Sequence, residues 1–350
     1  KSFAATKHDF RKNYYLINPF PFAIYPALIK SERSYELSVA SDLHGNTHAL
    51  DALRHSIAET PSPIRGRGGV HRKIFAGDLV GYGHSSLPHS EGSVPRNLGG
   101  AEKILDYTRK YEGTPRADVV VSGNHEKAGL SGEEFNMNYL PAMRHVEDIK
   151  KENPELYRYL EGLPDIAAVH TYGTPHTSFV VSHESVMPNA DELVRNGHHG
   201  SYLYPDEMSE EEVRQELAQL DRMGYGGMHL ITGHTHVPGL AMVNTEGPGF
   251  RSYGGRVGVA DPESIERLQS GIVVPRGWRM IFNPGSVGQP RDFDPRIAWG
   301  KLSVTPEQTI VRVVRAPYDI AAQQKAMADY FGERRVPGQK KHIDRLLLGR

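Results

Sequence analysis

The chain has 350 residues, 38% of them apolar, with 41 lysines and arginines against 42 aspartates and glutamates. That length allows a large buried core, and a net charge of −1 gives no field of the kind that draws a protein to nucleic acid or to an acidic membrane. Cysteine is absent, which excludes disulfides, thiolate metal sites and cysteine nucleophiles and fits a cytoplasmic protein.

Residues 1–36 are expected to form an N-terminal arm that packs on the domain, and nothing in them points to an activity. The most apolar part, Tyr14–Ile29, is broken by three prolines and an asparagine. It reads neither as a bilayer span nor as the uninterrupted centre of a signal peptide.

Short apolar runs that end in small or polar residues then follow: Tyr35–Asp42, Arg72–Asp78, Asp118–His125, Thr177–His183, Met228–His236 and Trp278–Ser286. Their length and β-branched content predict buried strands. Helices are predicted between them. In Thr47–Ala58 the apolar positions are Ala49, Leu50, Leu53 and Ile57. In Ser209–Met223 the Ser209 and Glu212 spacing is that of a capping box. Val213, Leu217, Leu220 and Met223 make one stripe there, and Gly224 supplies the stop. Asp319–Phe331 is a weaker helical pattern.

Three segments, Pro61–Arg72, His84–Gly100 and Asn244–Gly277, read as inserted loops rich in Gly, Pro and polar residues. Residues 37–331 therefore form one α/β domain with loop insertions, and 332–350 a C-terminal tail. The basic residues Lys340, Lys341, Arg345 and Arg350 of that tail read as a solvated end. In α/β sheets, ligands bind beyond the carboxyl ends of strands.

Those ends carry Asp42-x-His44, Gly77-Asp78, Gly123-Asn124-His125, His183 and Gly233-His234-x-His236. Each alone has an ordinary explanation. Asp78 after a glycine suits a turn, Asn124 suits a helix cap, and a lone His183 suits a hydrogen-bonded structural histidine. Together they are candidate metal ligands. Three of the five pieces place glycine just before the polar residue, where the backbone can turn sharply or come close to a bound group. The donors are oxygen and imidazole nitrogen, which suit Mn²⁺, Fe or Zn²⁺ and suit Cu(I) poorly. The one-residue spacer of His234-Thr235-His236 is expected to be extended, with both rings on one side.

With these residues in place, the sequence resembles the calcineurin-like metallophosphoesterases, from about Tyr35 to about Phe331. The resemblance rests on SDLHGN, GDLVGYG, SGNHE, VVSHES and TGHTHVP, followed by NPGSVGQPRDFDPR, which resembles the small bacterial-type phosphodiesterase branch. It implies a four-layer α/β/β/α sandwich around two divalent metal ions, with Mn foremost and Fe, Zn or Ni as alternatives. One metal would be held by Asp42, His44, Asp78 and His236, the other by Asp78, Asn124, His183 and His234, with Asp78 bridging. Two divalent ions, two aspartates and a hydroxide leave a formal charge of about +1, which attracts a phosphate ester. The implied reaction is in-line attack on a small phosphate ester by a metal-bridging hydroxide. His125 would protonate the leaving oxygen or stabilise its charge, or would only orient Asn124.

Two departures narrow the resemblance. Phosphoprotein phosphatases carry Asp-Arg where this chain has Gly81 and Tyr82. The carboxylate that supports the catalytic histidine and the arginine that grips phosphate are thus missing from that segment. Purple acid phosphatases need a tyrosine where Gly81 stands, so a tyrosinate–iron site is not expected. Asn46 is read as a substrate contact or a helix cap, and Tyr82 as a stacking surface or packing. Arg291 would touch phosphate or, more in keeping with its neighbour, pair with Asp292. His198 and His199 lie in a polar loop and His48 and His55 on a solvated face. Two further readings stay open: a phosphomonoesterase of nucleotides or small phosphates, and a non-catalytic interaction scaffold of the same fold. Oligomeric state is not legible.

Overall fold

A computed structural model of the chain describes residues 34–61, 69–82, 119–132, 140–188, 202–334 and 339–349, with short helical pieces at 103–104 and 107–108. The expected arm lies outside these residues up to position 33, as does the His198-His199 pair.

The chain runs through β1 (Tyr35–Ala40), α1 (Thr47–Glu59), β2 (Val70–Ala76), β3 (Val119–Val121), α2 (Asn124–Ser131), α3 (Leu140–Glu152) and α4 (Pro154–Glu161). It continues with β4 (Ile166–Val169), β5 (Phe179–Ser182), α5 (Glu210–Arg222), β6 (His229–Ile231), β7 (Gly239–Asn244) and β8 (Phe250–Gly254). It ends with α6 (Pro262–Ser270), β9 (Ile272–Pro275), β10 (Trp278–Asn283), β11 (Ile297–Val304), β12 (Gln308–Ala316), α7 (Ile320–Arg334) and α8 (Gln339–Leu348).

Among the described residues the strands form two six-stranded sheets, ordered β3-β2-β1-β11-β12-β9 and β4-β5-β6-β10-β7-β8. In the first, β1, β2 and β3 run parallel. In the second, β5, β6 and β10 run parallel.

Alternation along these strands builds the layers. Leu37, Val39, Ile74, Ala76 and Val121 of the first sheet meet Phe179, Val181, Ile231, Met280 and Phe282 of the second in one core. The intervening Phe75 and Val120 face outward, onto Leu50 and Leu53 of α1, Val146 and Ile149 of α3, and Leu156 and Leu160 of α4. Val180, Leu230 and Ile281 face the other way, onto Val213, Leu217 and Leu220 of α5. The result is the α/β/β/α sandwich. Where both faces of a strand are buried, as in β5 (FVVS), the strand reads as a nearly unbroken apolar run. Full burial of each large side chain stabilises by about 1.5–3 kcal/mol, well above the roughly 0–1 kcal/mol of an exposed ion pair. The three cores, not the surface charges, therefore hold the layers together.

The helix starts follow local chemistry. Asn46 Oδ1 accepts from Ala49 N at 2.9 Å and caps α1, while its amide donates to Gly288 O at 2.9 Å. Ser209 and Glu212 form the reciprocal box at the start of α5. Among the described residues no helix is long and apolar enough to cross a membrane.

Two expectations are corrected. Asn244–Gly277 is not an inserted loop: it contributes β8 to the edge of one sheet and β9 to the edge of the other. Edge strands are short and half exposed, so β8 (FRSYG) lacks the apolar run that marks a central strand. Nor are residues 339–348 a solvated end. They form α8, with His342 and Leu346 buried, although Lys340 and Lys341 do stand in solvent.

Candidate metal centre

The parallel strands of both sheets point their carboxyl ends at one place. Asp42 follows β1, Asp78 follows β2, Asn124 follows β3, His183 follows β5, and His234 and His236 follow β6. The β1–β2 pairing continues past the strands: Asp42 N donates to Gly77 O at 3.1 Å and His44 N to Asp78 O at 2.8 Å.

The backbone is held in an unusual state here. Among the described residues six non-glycine residues have positive φ, and five of them are Asp42, His44, Asp78, His234 and His236. Left-handed backbone at a non-glycine residue costs on the order of 1–3 kcal/mol and persists where surrounding structure enforces it. His234 and His236, at φ 71° and 61°, are thus not in an extended segment as the one-residue spacer suggested. Their rings still separate, His236 toward Asp42 and His44, His234 toward His183.

Close approach explains two glycines. A Cβ on Gly123 would overlap Asp78 Oδ1. A Cβ on Gly81 would come within 2.7 Å of both His44 Nδ1 and His125 Nδ1. The aspartate that phosphoprotein phosphatases carry at that position has no room here.

Two donor groups result. Asp42, His44, Asp78 and His236 each offer one atom, all within 4.8 Å of one another, and so do Asp78, His183 and His234. Asp78 belongs to both. Asn124 joins the second group through its Oδ1, 2.9 Å from His183 Nε2.

The ring orientations say what this place is built for. His236 Nδ1 faces Gln289 O at 2.6 Å and His183 Nδ1 faces Ala76 O at 2.6 Å. A carbonyl only accepts, so both Nδ1 atoms carry hydrogen and each Nε2 is left to point inward. His183 Nε2 then meets Asp78 Oδ2 at 3.2 Å and Asn124 Oδ1 at 2.9 Å. His236 Nε2 meets Asp42 Oδ1 at 3.1 Å and His44 Nε2 at 3.1 Å. Asp42 Oδ1 is fully buried and receives no hydrogen bond of acceptable geometry despite that proximity. Lone pairs that converge in a dry pocket repel unless a cation lies among them. Imidazoles fixed by a backbone carbonyl on the far nitrogen are the usual form of metal ligands. The residues therefore fit a pair of divalent cations.

Electrostatics agree. Burial opposes charge on Asp42 and Asp78, but His236 and His183 beside the first, and His183 and His125 beside the second, outweigh it and hold both carboxyls below their ordinary range. Burial keeps His44, His234 and His236 neutral at pH 7. Burial also works against charge on His183, yet Asp78 raises its pKa to about 10. The proton on His183 occupies the place of a cation, and metal binding would displace it.

The sequence missed two supporting carboxylates. Glu126 is fully buried at the third position of α2. Its Oε2 accepts from Asp78 N at 2.9 Å and Gly123 N at 2.7 Å, and its Oε1 from Val80 N at 2.9 Å. Burial and the charge of Asp78 raise it to about 7. Its signal was the Gly123-x-x-Glu126 spacing of a capping box whose cap is glycine. Glu216 accepts from Ser185 Oγ and from Val186 N at 2.6 Å, so it pins the turn after His183. Its signal was an acid on the apolar stripe of α5, between Val213 and Leu217.

Tyr82 packs, its ring centroid 4.4 Å from His125, 4.6 Å from His44 and 4.5 Å from His342. His125 is buried, and its backbone N–H donates to Asp78 Oδ1 at 2.9 Å. Arg291 does not pair with Asp292, whose partner is Arg315. His55 is exposed beside Glu59, whereas His48 is half-buried.

A model of the calcineurin-like phosphoesterase family matches residues 37–238. The uncharacterized protein MJ0912 of Methanocaldococcus jannaschii is 25% identical over 311 residues, covering 87% of this chain and 98% of that one. The crystal structure of hypothetical protein PH1004 from Pyrococcus horikoshii superposes with a TM-score of 0.55 at 14% identity, over 90% of this chain and 99% of that one. This likeness shows the fold. A metallophosphoesterase structure from Sphaerobacter thermophilus aligns over 91% of this chain and 100% of its own, with a TM-score of 0.49 and 20% identity.

Proposed function

The chain belongs to the calcineurin-like phosphoesterase family, and from that premise we propose that it is a divalent-metal-dependent phosphodiesterase. The observation that carries this reading is that one carboxylate, Asp78, belongs to both donor groups. Asp42, His44 and His236 would complete one ligand set, and Asn124, His183 and His234 the other. A bound pair of divalent ions lowers the pKa of water and neutralises charge on the phosphoryl oxygens. A donor set of oxygen and imidazole without sulfur supports Mn²⁺.

The chain's own side chains do the rest. Asp78 is held in place by the backbone N–H of His125 on Oδ1, and its own N–H is held by Glu126. His125 is kept neutral, with burial lowering its pKa to about 4. It therefore serves the leaving oxygen as a hydrogen-bond donor more readily than as a strong acid. Its Nδ1 abuts Gly81, so Nε2 is the nitrogen that meets the substrate. The diester preference is supported by Gly81 and Tyr82. This segment brings no guanidinium to the reacting phosphoryl group, which suits the single negative charge of a diester better than the two of a monoester.

The test is turnover of bis(p-nitrophenyl) phosphate and p-nitrophenyl phosphate by Mn²⁺-loaded and chelated protein. The expected result is a higher kcat/KM for the diester, lost on chelation and restored by Mn²⁺. Preference for the monoester would replace this reading with a phosphomonoesterase, and absence of metal-dependent hydrolysis of either would end it.

A further inference from the structure

The segment after the NPGS turn and the C-terminal helix are fastened together beside the metal centre. Arg291 N donates to His236 O at 3.2 Å, and Arg291 Nη2 donates to Gln289 Oε1 at 3.1 Å. Two residues on, Phe293 N donates to Gly349 O at 2.7 Å, which ties this segment to the end of α8. One turn before the end of α8 stands Arg345, and a turn earlier His342, whose ring stacks on Tyr82 at 18°. The guanidinium carbon of Arg291 lies 5.9 Å from the centroid of the same Tyr82 ring. Arg291 thus stands beside a tyrosine that touches both His44 and His125, and Arg345 lies one helical turn from the histidine stacked on that tyrosine.

Among the described residues neither arginine has an acid. Asp292 and Asp294, the carboxylates nearest Arg291 in sequence, are taken by Arg315 and Arg296. Among the described residues no carboxylate lies within 4.0 Å of Arg291 or Arg345, whereas Arg144, Arg214, Arg256, Arg267 and Arg279 each have one. Arg291 Nε is buried without a hydrogen-bond acceptor. Burial, and then the charge of Arg291, lower the pKa of Arg345. His342 does not add to the charge, since burial and its basic neighbours push it down to about 3. Two guanidinium groups that repel each other in a partly dewatered place are unfavourable until an anion joins them. Their fork geometry matches phosphate oxygens.

We propose that Arg291 and Arg345 form an anion subsite next to the metal centre that recognises a second phosphate group of the substrate. On the phosphodiesterase reading, on which this inference rests, the preferred substrate is a diester that carries a further terminal phosphate on one arm. The C-terminal helix is then part of the substrate site.

The test is calorimetric titration of the full chain with adenosine 5′-phosphate and adenosine 3′,5′-bisphosphate, a pair that differs by one phosphate. Titrations are made with Mn²⁺-loaded and with chelated protein. Wild type should bind the bisphosphate more tightly. Arg345→Ala and Arg291→Ala should each shrink that preference about tenfold, the size of one charge-assisted hydrogen bond. Lys340→Ala, which removes an exposed charge from the same helix, should leave the preference unchanged. Arg345→Gln, with a wild-type Tm as the sign of intact folding, should repeat the Arg345→Ala result. An unchanged preference in a folded Arg345 variant, or an equal loss in Lys340→Ala, overturns the subsite. If binding proves independent of metal while the arginine-dependent preference persists, the phosphodiesterase reading fails and the subsite stands.

Discussion

His183 Nε2 lies 3.2 Å from Asp78 Oδ2, while the opposite nitrogen of the same ring lies 2.6 Å from Ala76 O. The ring is thereby fixed between a carbonyl that only accepts and a carboxylate that only accepts. Some positive species, a proton or a metal ion, must sit on the inner side.

That requirement sets a pH dependence in the metal-free protein. The folded state holds the His183 proton to a pKa of about 10, whereas an ordinary histidine releases it near 6.5. The folded state is favoured by this proton fully below pH 6.5, and that contribution vanishes as pH rises toward 10. Chelated protein should lose Tm steadily across this window. Metal-loaded protein, in which the proton has been displaced, should lose less. Calorimetric scans of both forms at matched ionic strength check it, and parallel curves would contradict the assignment of His183.

Asp78→Asn should empty both metal positions together, because the residue belongs to both donor groups. Metal analysis should show less than one ion per chain, and turnover should fall by at least about 10³-fold, the scale of losing a transition-state stabiliser. A mutant that keeps two ions and full activity would show that Asp78 does not bridge.

Glu126→Gln tests a buried carboxylate that touches no substrate. Glutamine offers one oxygen, so it cannot accept from Asp78 N, Gly123 N and Val80 N at once. Leaving a buried N–H unpaired costs about 1–3 kcal/mol, and metal affinity should drop roughly 10–100-fold. Unfolding in denaturant reads the first effect and competition with a chelator the second. Wild-type values in both would leave Glu126 with no positioning role.

His125→Ala should keep both metals and lose turnover, because the His125 ring takes part in neither donor group. If the ring serves the leaving oxygen, the deficit should be smaller for esters whose leaving group is a good one. Loss of metal in this variant would instead make His125 a support for Asn124.

Much of the centre was legible because metal chemistry demands particular side chains and strand ends deliver them. Asp42, Asp78, Asn124, His183 and His234 each follow an apolar run that codes for a buried strand, and each run is local in sequence. The helices α1 and α5 were legible for the same reason, through Asn46, Ser209 and a 3.6-residue apolar stripe. The edge strand β8 (FRSYG) was not, since an edge position relaxes the apolar pattern that identifies a strand, and β9 (IVVP) is apolar but only four residues long and follows a Gly- and polar-rich stretch.

The sequence by itself therefore determined which oxygen- and imidazole-bearing side chains end the strands, their order along the chain and the apolar runs that carry them. Only the tertiary structure decided the pairings that make the donors work. Gln289 O orients His236 from 53 positions away, Glu126 holds Asp78 from 48, and Ser286 reaches the Asp42 carbonyl from 244. It also seated α8 against Tyr82 and gave Asp292 to Arg315, which, among the described residues, left Arg291 without an acid. Periodicity and capping are set by neighbours within a few residues, whereas a hydrogen bond to a distant carbonyl leaves no mark on the chain until the sheets bring it into place.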